Sequence, residues 1–180
     1  MRIHAADWNR LFRLSRFKTF LVLATMVVAA TAWATPSLGI IVNQTLASGV
    51  AWDGISQHMQ ISRNPDGTVT PWQLQLQVQG ETDYYSHHLV LSPGGHSGWH
   101  SHPGVLIATV KSGAIDFYNA KCEKRIVGAG EVYTEDDEVH AIANTGTADA
   151  DLYLTFLVKH GAARRRDEPA PDCAVYTGIP

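Results

Sequence analysis

Alternation of apolar and polar residues constrains the fold of this chain more than any other feature. Within Thr68–Val78, the side chains of Trp72, Leu74, Leu76 and Val78 alternate with three glutamines. A period of two residues is typical of a strand with one buried face and one solvent face. Further strands are predicted at Tyr84–Leu91, Val105–Lys111, Ala114–Asn119, Lys124–Val127, Val139–Asn144 and Asp151–Val158. Clusters of Pro, Gly, Asn and Asp mark turns between them, so we expect an all-β sandwich or barrel.

The first 34 residues have the composition of a secretory signal peptide. Five basic residues against Asp7 precede an apolar run from Phe20 to Ala32, and the sequence Ala32-Trp33-Ala34 follows the A-x-A pattern of a cleavage site. This pattern predicts cleavage after Ala34 and export to the periplasm or the extracellular space. An uncleaved membrane anchor is the alternative, but the apolar run is shorter than the roughly 20 residues that span a bilayer.

Cleavage would leave one acidic domain. Residues 1–34 hold five of the 14 Lys and Arg and one of the 17 Asp and Glu, so the remainder has a formal charge of −7. This charge argues against nucleic acid as a partner, and no second apolar run of membrane-spanning length follows, so no membrane association is expected. We expect an irregular lead-in over 35–55 that could add an edge strand, a barrel over 56–160 and a tail over 161–180.

Both cysteines, Cys122 and Cys173, lie in the part expected to be exported. In an oxidising compartment this favours one disulfide, with two free buried thiols as the alternative. The bond would fasten the Pro-rich segment Glu168–Cys173 to the body. Neither cysteine belongs to a CxxC pair, which argues against thiol redox catalysis and a thiolate zinc site. The charged run Arg164–Glu168 is interpreted as a solvated, self-neutralising part of the tail.

Three histidines stand in a pattern suited to metal binding. His100 and His102 are two residues apart, so an extended strand places both imidazoles on one face. A third histidine, His140, could complete the site from another strand. Three imidazoles can hold a divalent transition metal such as Zn, Fe, Mn, Ni or Cu and leave a position open for water or a substrate. The alternative is a pair of solvent-facing histidines without a metal.

Two motifs around these histidines resemble those of the cupin superfamily. The first cupin motif is G(X)5HXH(X)3,4E(X)6G, and the second is G(X)5PXG(X)2H(X)3N. The matching residues are Gly94, His100, His102, Gly113, His140 and Asn144. The resemblance covers roughly residues 57–160 and implies a double-stranded β-helix, or jelly-roll barrel, with a metal inside its mouth. It also implies a possible homodimer.

The chain departs from the cupin pattern at the glutamate of the first motif. Leu106 and Ile107 stand where that glutamate is expected, so the sequence assigns no fourth ligand. A metal held by three histidines without a carboxylate would carry more net positive charge, which favours an anionic ligand. One candidate for the missing ligand is the acidic run Glu135–Glu138, which could supply a replacement ligand or a general base. The alternative is that this run is only a solvated turn. The other candidate is whichever of His87 and His88 faces inward, since neighbours in a strand point to opposite faces. That histidine could be a fourth ligand or could hydrogen-bond to a ligand, and the alternative is a histidine that only packs in the core.

Two classes of function fit this sequence. The first is an exported metal-dependent enzyme acting on a small molecule, by oxygenase, isomerase, lyase or hydrolase chemistry. The second is a non-catalytic cupin that binds or senses a small ligand or the metal itself. No glycine-rich phosphate loop precedes a helix, so nucleotide chemistry is not expected. The sequence assigns no catalytic residue, because a fold alone does not define a reaction.

Overall fold

Strands make up most of the described chain. The structure, a computed structural model, describes residues 34–61, 66–67 and 72–180, so the predicted signal peptide up to residue 33 lies outside the described residues. The strands are β1 (Leu38–Ala51), β2 (Ile55–Ile61), β3 (Trp72–Val78), β4 (Thr82–His96), β5 (His100–Ser101), β6 (Gly104–Ser112), β7 (Ala114–Tyr118), β8 (Lys124–Gly128), β9 (Val132–Glu135), β10 (Ala141–Ala143), β11 (Ala150–Lys159) and β12 (Arg166–Asp167). A 3-10 helix covers Asp172–Tyr176. None of the described residues belongs to a helix of the length and apolarity that crossing a membrane requires.

Eight strands form one antiparallel sheet that closes into a nearly complete barrel. Their order is β8-β7-β10-β4-β11-β6-β9, and β1 pairs with β4. Strand β4 is central, because β1 and β11 pair with it over most of its length, with Ser86 opposite both Ala47 and Thr155. Strands β2 and β3 form a separate hairpin, and β5 pairs with β12. The predicted all-β jelly-roll class is confirmed.

The barrel interior is apolar because its strands alternate between inward and outward side chains. Every second residue of β11 is buried, namely Ala150, Leu152, Leu154, Phe156 and Val158. They pack with Leu91, Val110 and Val127 from other strands of the sheet, all of which are fully buried. Burying one such large aliphatic side chain stabilises the fold by about 1.5–3 kcal/mol, so this cluster is the main source of barrel stability.

Residues 164–168, here called the strap, lie against strand β5. Strand β12 of the strap pairs antiparallel with β5. The Glu168 N–H donates to the Trp99 carbonyl at 3.0 Å, and the Ser101 hydroxyl donates to the Glu168 carboxylate at 2.7 Å. The strap is therefore bound directly to the segment that carries the His-x-His sequence.

The tail beyond the strap is fastened both covalently and by packing. The predicted disulfide between Cys122 and Cys173 is present, with Cα atoms 6.0 Å apart. It joins the tail to the loop between β7 and β8. Ala174 and Ile179 also pack in the cluster around Trp99, which is fully buried. The end of the chain is thus part of the barrel's packing rather than a free extension.

The segment 35–55, predicted as an irregular lead-in, is mainly strand β1. Strand β1 pairs with β4 from Leu38 to Ala51, so this segment does add the strand that the sequence analysis gave as a possibility. Most of its side chains are exposed or half-buried, so apolar and polar residues alternate little along it. The local pattern is therefore weak, and long-range backbone pairing with β4 decides the conformation.

One glycine is required by the backbone beside the histidines. Gly98 has a φ of +70°, and a Cβ at this position would lie 2.2 Å from the Thr35 carbonyl oxygen. Only glycine tolerates both the left-handed conformation and this close approach. Gly98 thus allows the chain that precedes β1 to pack against the loop leading to His100.

We expect the disulfide to contribute measurably to stability. Because it closes a loop with a sequence separation of 51 residues, reducing it should lower the free energy of unfolding by about 2–4 kcal/mol. Urea denaturation of the oxidised and reduced protein measures this difference. The double variant Cys122→Ser/Cys173→Ser should resemble the reduced protein and show no response to reductant. Equal midpoints for oxidised and reduced wild type would contradict the expectation.

Candidate metal centre

The structure brings His100, His102 and His140 together. His100 lies on β5, and His140 immediately precedes β10; the two residues exchange backbone N–H···O hydrogen bonds of 2.9 Å in both directions. The ring centroid of His140 lies 4.4 Å from that of His100 and 5.2 Å from that of His102. All three side chains are buried. The spacing of two residues and one cross-strand pair therefore create a compact imidazole cluster.

The carboxylate of Glu135 is the fourth member of this cluster. One donor atom from each of the four side chains lies within 4.8 Å of the others. Glu135 ends β9 directly opposite Leu106 of β6. Residues opposite each other on neighbouring strands project to the same face. Strand β9 thus supplies the carboxylate that the cupin pattern places on β6, and it offsets the extra positive charge expected of three histidines alone.

The alternation of β9 is the signal that could have singled out Glu135 in the sequence. Tyr133 and Glu135 are buried, whereas Val132 and Thr134 are exposed. The rest of the acidic run, residues 136–138, is exposed as a solvated turn would be. Among the four acidic residues, Glu135 alone continues the inward phase of a strand, which the sequence interpretation did not use.

Backbone carbonyls orient all three imidazoles in the same way. The Nδ1 atoms donate to the carbonyls of Gly98 (His100, 2.9 Å), Arg164 (His102, 2.6 Å) and Glu138 (His140, 2.7 Å). Because a carbonyl can only accept, each Nδ1 carries a proton, and a neutral ring then has its lone pair on Nε2. Metal-binding histidines are commonly held by such a hydrogen bond on the opposite nitrogen. The strap takes part, since Arg164 supplies one of the carbonyls.

The electrostatics of the cluster require a positive charge at its centre. The nearest Glu135 carboxylate oxygen lies 2.9 Å from His102 Nε2 and 3.3 Å from His140 Nε2. The other Glu135 oxygen and His140 Nε2 are buried without a hydrogen-bond partner among the described residues. Imidazole lone pairs and a carboxylate all accept, so only a bound proton or a cation can reconcile them. Three imidazole nitrogens and one carboxylate oxygen suit a divalent transition metal.

Burial and mutual contacts set the protonation of the cluster. Burial lowers the pKa of His100 to about 3, although Glu135 acts in the opposite direction. Burial opposes the charge on Glu135, but contacts with His102 and His140 outweigh it and hold the pKa of the carboxyl well below its usual range. Burial would also lower the pKa of His140, but the Glu135 carboxylate outweighs it and raises that pKa. Without a metal, the carboxylate is ionised, and its charge makes His140 bind a proton more readily than a free imidazole does.

The cluster faces a cavity of about 220 Å³ inside the barrel. Its wall contains His100, His102 and Glu135, apolar side chains of β4, β6, β10 and β11, and two residues of the strap, Arg164 and Arg165. Ligand pockets commonly measure roughly 300–1,000 Å³, so this one suits a small molecule. The strap was interpreted as a solvated tail segment, but both arginines are half-buried in the cavity wall.

His87 and His88 are not among the four side chains of the cluster. His87 lines the cavity, with its Nε2 2.6 Å from Asn43 Oδ1. His88 points to the other face, where its Nε2 lies 2.7 Å from Asp151 and its ring stacks on Tyr153. Neighbouring residues of a strand point to opposite faces, so only one of these two histidines faces inward. Glu135, rather than either histidine, completes the set of potential ligands.

Comparison with known families identifies the domain. Residues 87–156 match the family model described as Cupin domain. The chain therefore carries a cupin domain, and the predicted cupin superfamily is confirmed. Comparison with curated proteins finds no significant match.

Several solved structures are similar to part of this chain. A cupin-like protein from Thermotoga maritima is 19% identical over 53% of this chain and 72% of that chain, with a TM-score of 0.44. The Cupin_2 domain of an XRE family transcriptional regulator from Enterobacter cloacae is 19% identical over 41% of this chain and 79% of that chain, with a TM-score of 0.36. Oxalate oxidase in complex with the substrate analogue glycolate is 23% identical, with a TM-score of 0.37. The match covers 41% of this chain and 41% of the oxalate oxidase chain.

We expect Glu135 to control the protonation of His140 in protein stripped of metal by a chelator. The Glu135→Gln variant keeps the burial but loses the charge, so the pKa of His140 should fall from above its ordinary value of about 6.5 to below it. An NMR titration of the imidazole resonances measures both values. His160, whose pKa is raised mainly by its hydrogen bond to Asp83, is the internal control and should not move. An unchanged His140 titration in the variant would contradict this coupling.

Proposed function

We propose that this protein is an exported cupin that binds a divalent transition metal and acts as a metal-dependent enzyme on a small molecule. The proposed ligands are His100, His102, His140 and Glu135. The observation that carries the proposal is the convergence of these four buried donors within 4.8 Å, with unpartnered lone pairs facing one another. The expected export is supported by the composition of the first 34 residues and by a disulfide, which suits an oxidising compartment.

The surroundings of the cluster favour catalysis on a bound molecule over a purely structural ion. A closed structural site has no cavity beside it, whereas His100, His102 and Glu135 form part of a cavity wall. A metal bound there would supply Lewis-acid or redox chemistry, according to its identity. Four protein donors complete the tetrahedral set of zinc, whereas a metal with octahedral preference, such as Mn, retains open positions for a substrate.

The protein's own residues would position the substrate and limit access of water. Leu106, Leu154 and Phe156 give the cavity an apolar wall next to the polar cluster. Such a wall lowers the local dielectric and strengthens interactions with charged groups. Tyr133 lines the same cavity, and burial raises the pKa of its phenol well above the usual range, so this hydroxyl stays protonated and can donate a hydrogen bond.

We expect protein purified from the exported fraction and loaded with metal to retain about one ion per chain. The His140→Ala and Glu135→Gln variants should bind it more weakly, and His140→Ala should lose more than the roughly 100-fold that removal of a supporting group costs. Elemental analysis and competition with a chelator measure both quantities. His88→Ala is the matched control, because His88 is paired with Asp151 outside the cluster.

Two results would separate the possibilities. Failure of the wild type to retain any transition metal, or full retention by His140→Ala, would contradict the metal centre. Retention of metal without turnover of any of a broad panel of small molecules, with ligand binding preserved, would instead support the non-catalytic binding module as the function.

A further inference from the structure

Arg164 places an unpaired positive charge in the wall of the cavity. The neighbouring Arg165 is already paired, because it donates to Asp167 Oδ1 and to the Ser97 carbonyl, both at 2.7 Å. No carboxylate of the described residues lies within ion-pair distance of Arg164, and Glu135 is the one acidic residue among those lining the cavity. Arg164 therefore brings to the cavity wall a positive charge that no carboxylate of the described residues neutralises.

The guanidinium of Arg164 is held in a fixed position. It lies over the ring of Tyr85 at 4.8 Å and over that of Phe156 at 5.7 Å. Its Nη1 donates to Thr45 Oγ1 at 3.0 Å and lies 3.3 Å from His87 Nδ1. Its Nε and Nη2 atoms have no acceptor among the described residues. Two donors of a planar, preoriented group are therefore left for a ligand.

His87 supports this position. Its Nε2 lies 2.6 Å from the Asn43 side-chain oxygen, which can only accept, so Nε2 carries the proton and Nδ1 accepts. Burial first, and then the positive charge of Arg164, lower the pKa of His87, so the ring stays neutral and Nδ1 keeps its lone pair towards the guanidinium. The inward histidine of the pair at 87 and 88 is therefore a positioning residue for Arg164.

We propose that the cavity binds a small organic carboxylate, whose anionic group pairs with Arg164 while the rest of the molecule reaches the metal centre. The substrate class rests on the proposed function. A guanidinium offers two parallel N–H donors that match the two oxygens of a carboxylate. A divalent ion and Arg164 together exceed the single negative charge of Glu135, so the loaded cavity favours an anion.

Two further features select an organic acid over an inorganic ion. Leu106, Leu154 and Phe156 line the cavity and suit a carbon chain rather than a fully hydrated anion. The Tyr133 hydroxyl is buried in the same wall beside Glu135, whose carboxylate is the one polar group of the described residues that acts on it, and no well-formed hydrogen bond joins the two. A bound carboxylic acid or its polar substituent would give this hydroxyl an acceptor.

The test compares propionate and butyrate with their uncharged amides, propionamide and butyramide, on zinc-loaded and on metal-free protein, by NMR titration. We expect saturable binding of the acids and at least tenfold weaker binding of the amides. Arg164→Gln should weaken binding of the acids by about 10- to 100-fold, as loss of charge-assisted hydrogen bonds does, and leave the amides unchanged. Arg164→Lys keeps the positive charge but loses the two parallel N–H donors, so its affinity for the acids should lie between those of wild type and Arg164→Gln.

Controls separate loss of the subsite from loss of the fold or the metal. Arg166→Gln removes an exposed charge from the same strap and should bind like wild type. Zinc content and the circular dichroism spectrum should be the same in all these variants. No saturable binding of either acid, an Arg164→Gln variant that binds as wild type does, or tighter binding of inorganic phosphate than of propionate would overturn the carboxylate site. The protein could also retain no zinc and still bind propionate in a way that depends on Arg164. That result would support the carboxylate subsite and contradict only the metal centre.

Discussion

The reciprocal backbone hydrogen bonds between His100 and His140 are the constraint on which the site depends. They join two segments that are far apart in sequence and place two imidazoles with ring centroids 4.4 Å apart. The third imidazole, His102, follows from the two-residue period of an extended chain. Once these rings are buried together, their carbonyl-bound Nδ1 atoms direct the lone pairs inward towards the Glu135 carboxylate, and a bound proton or a cation becomes an electrostatic necessity.

The strap connects the candidate metal centre to the cavity. The Arg164 carbonyl orients His102, and the Arg164 side chain faces the space in front of the cluster. Pairing with β5 and the disulfide at Cys173 hold this segment in place. One short stretch of chain therefore affects both the geometry of a potential ligand and the charge of the cavity, which explains why an apparently polar tail is ordered against the barrel.

Local patterns predicted much of the fold and the histidine part of the site. Period-two alternation identified strands such as β11, and the spacing of His100 and His102 needs only an extended backbone. Strand β1 was described as irregular because its conformation depends on pairing with β4, which no local pattern reports. Glu135 depends on the register of β9 against β6, and Arg164 on where the tail packs. These contacts arise from long-range interactions, so the sequence left the carboxylate open and assigned the arginine to solvent.

The proposed centre binds one metal ion through three imidazole Nε2 atoms and the Glu135 carboxylate. A crystal structure of the metal-loaded protein, with anomalous diffraction data collected at the absorption edge of the metal, tests it most directly. We expect one buried anomalous peak at about 2.0–2.2 Å from the Nε2 atoms of His100, His102 and His140 and from an oxygen of Glu135. A peak bound through Nδ1 atoms, a peak at His87 or His88, or no peak among these four side chains would contradict it.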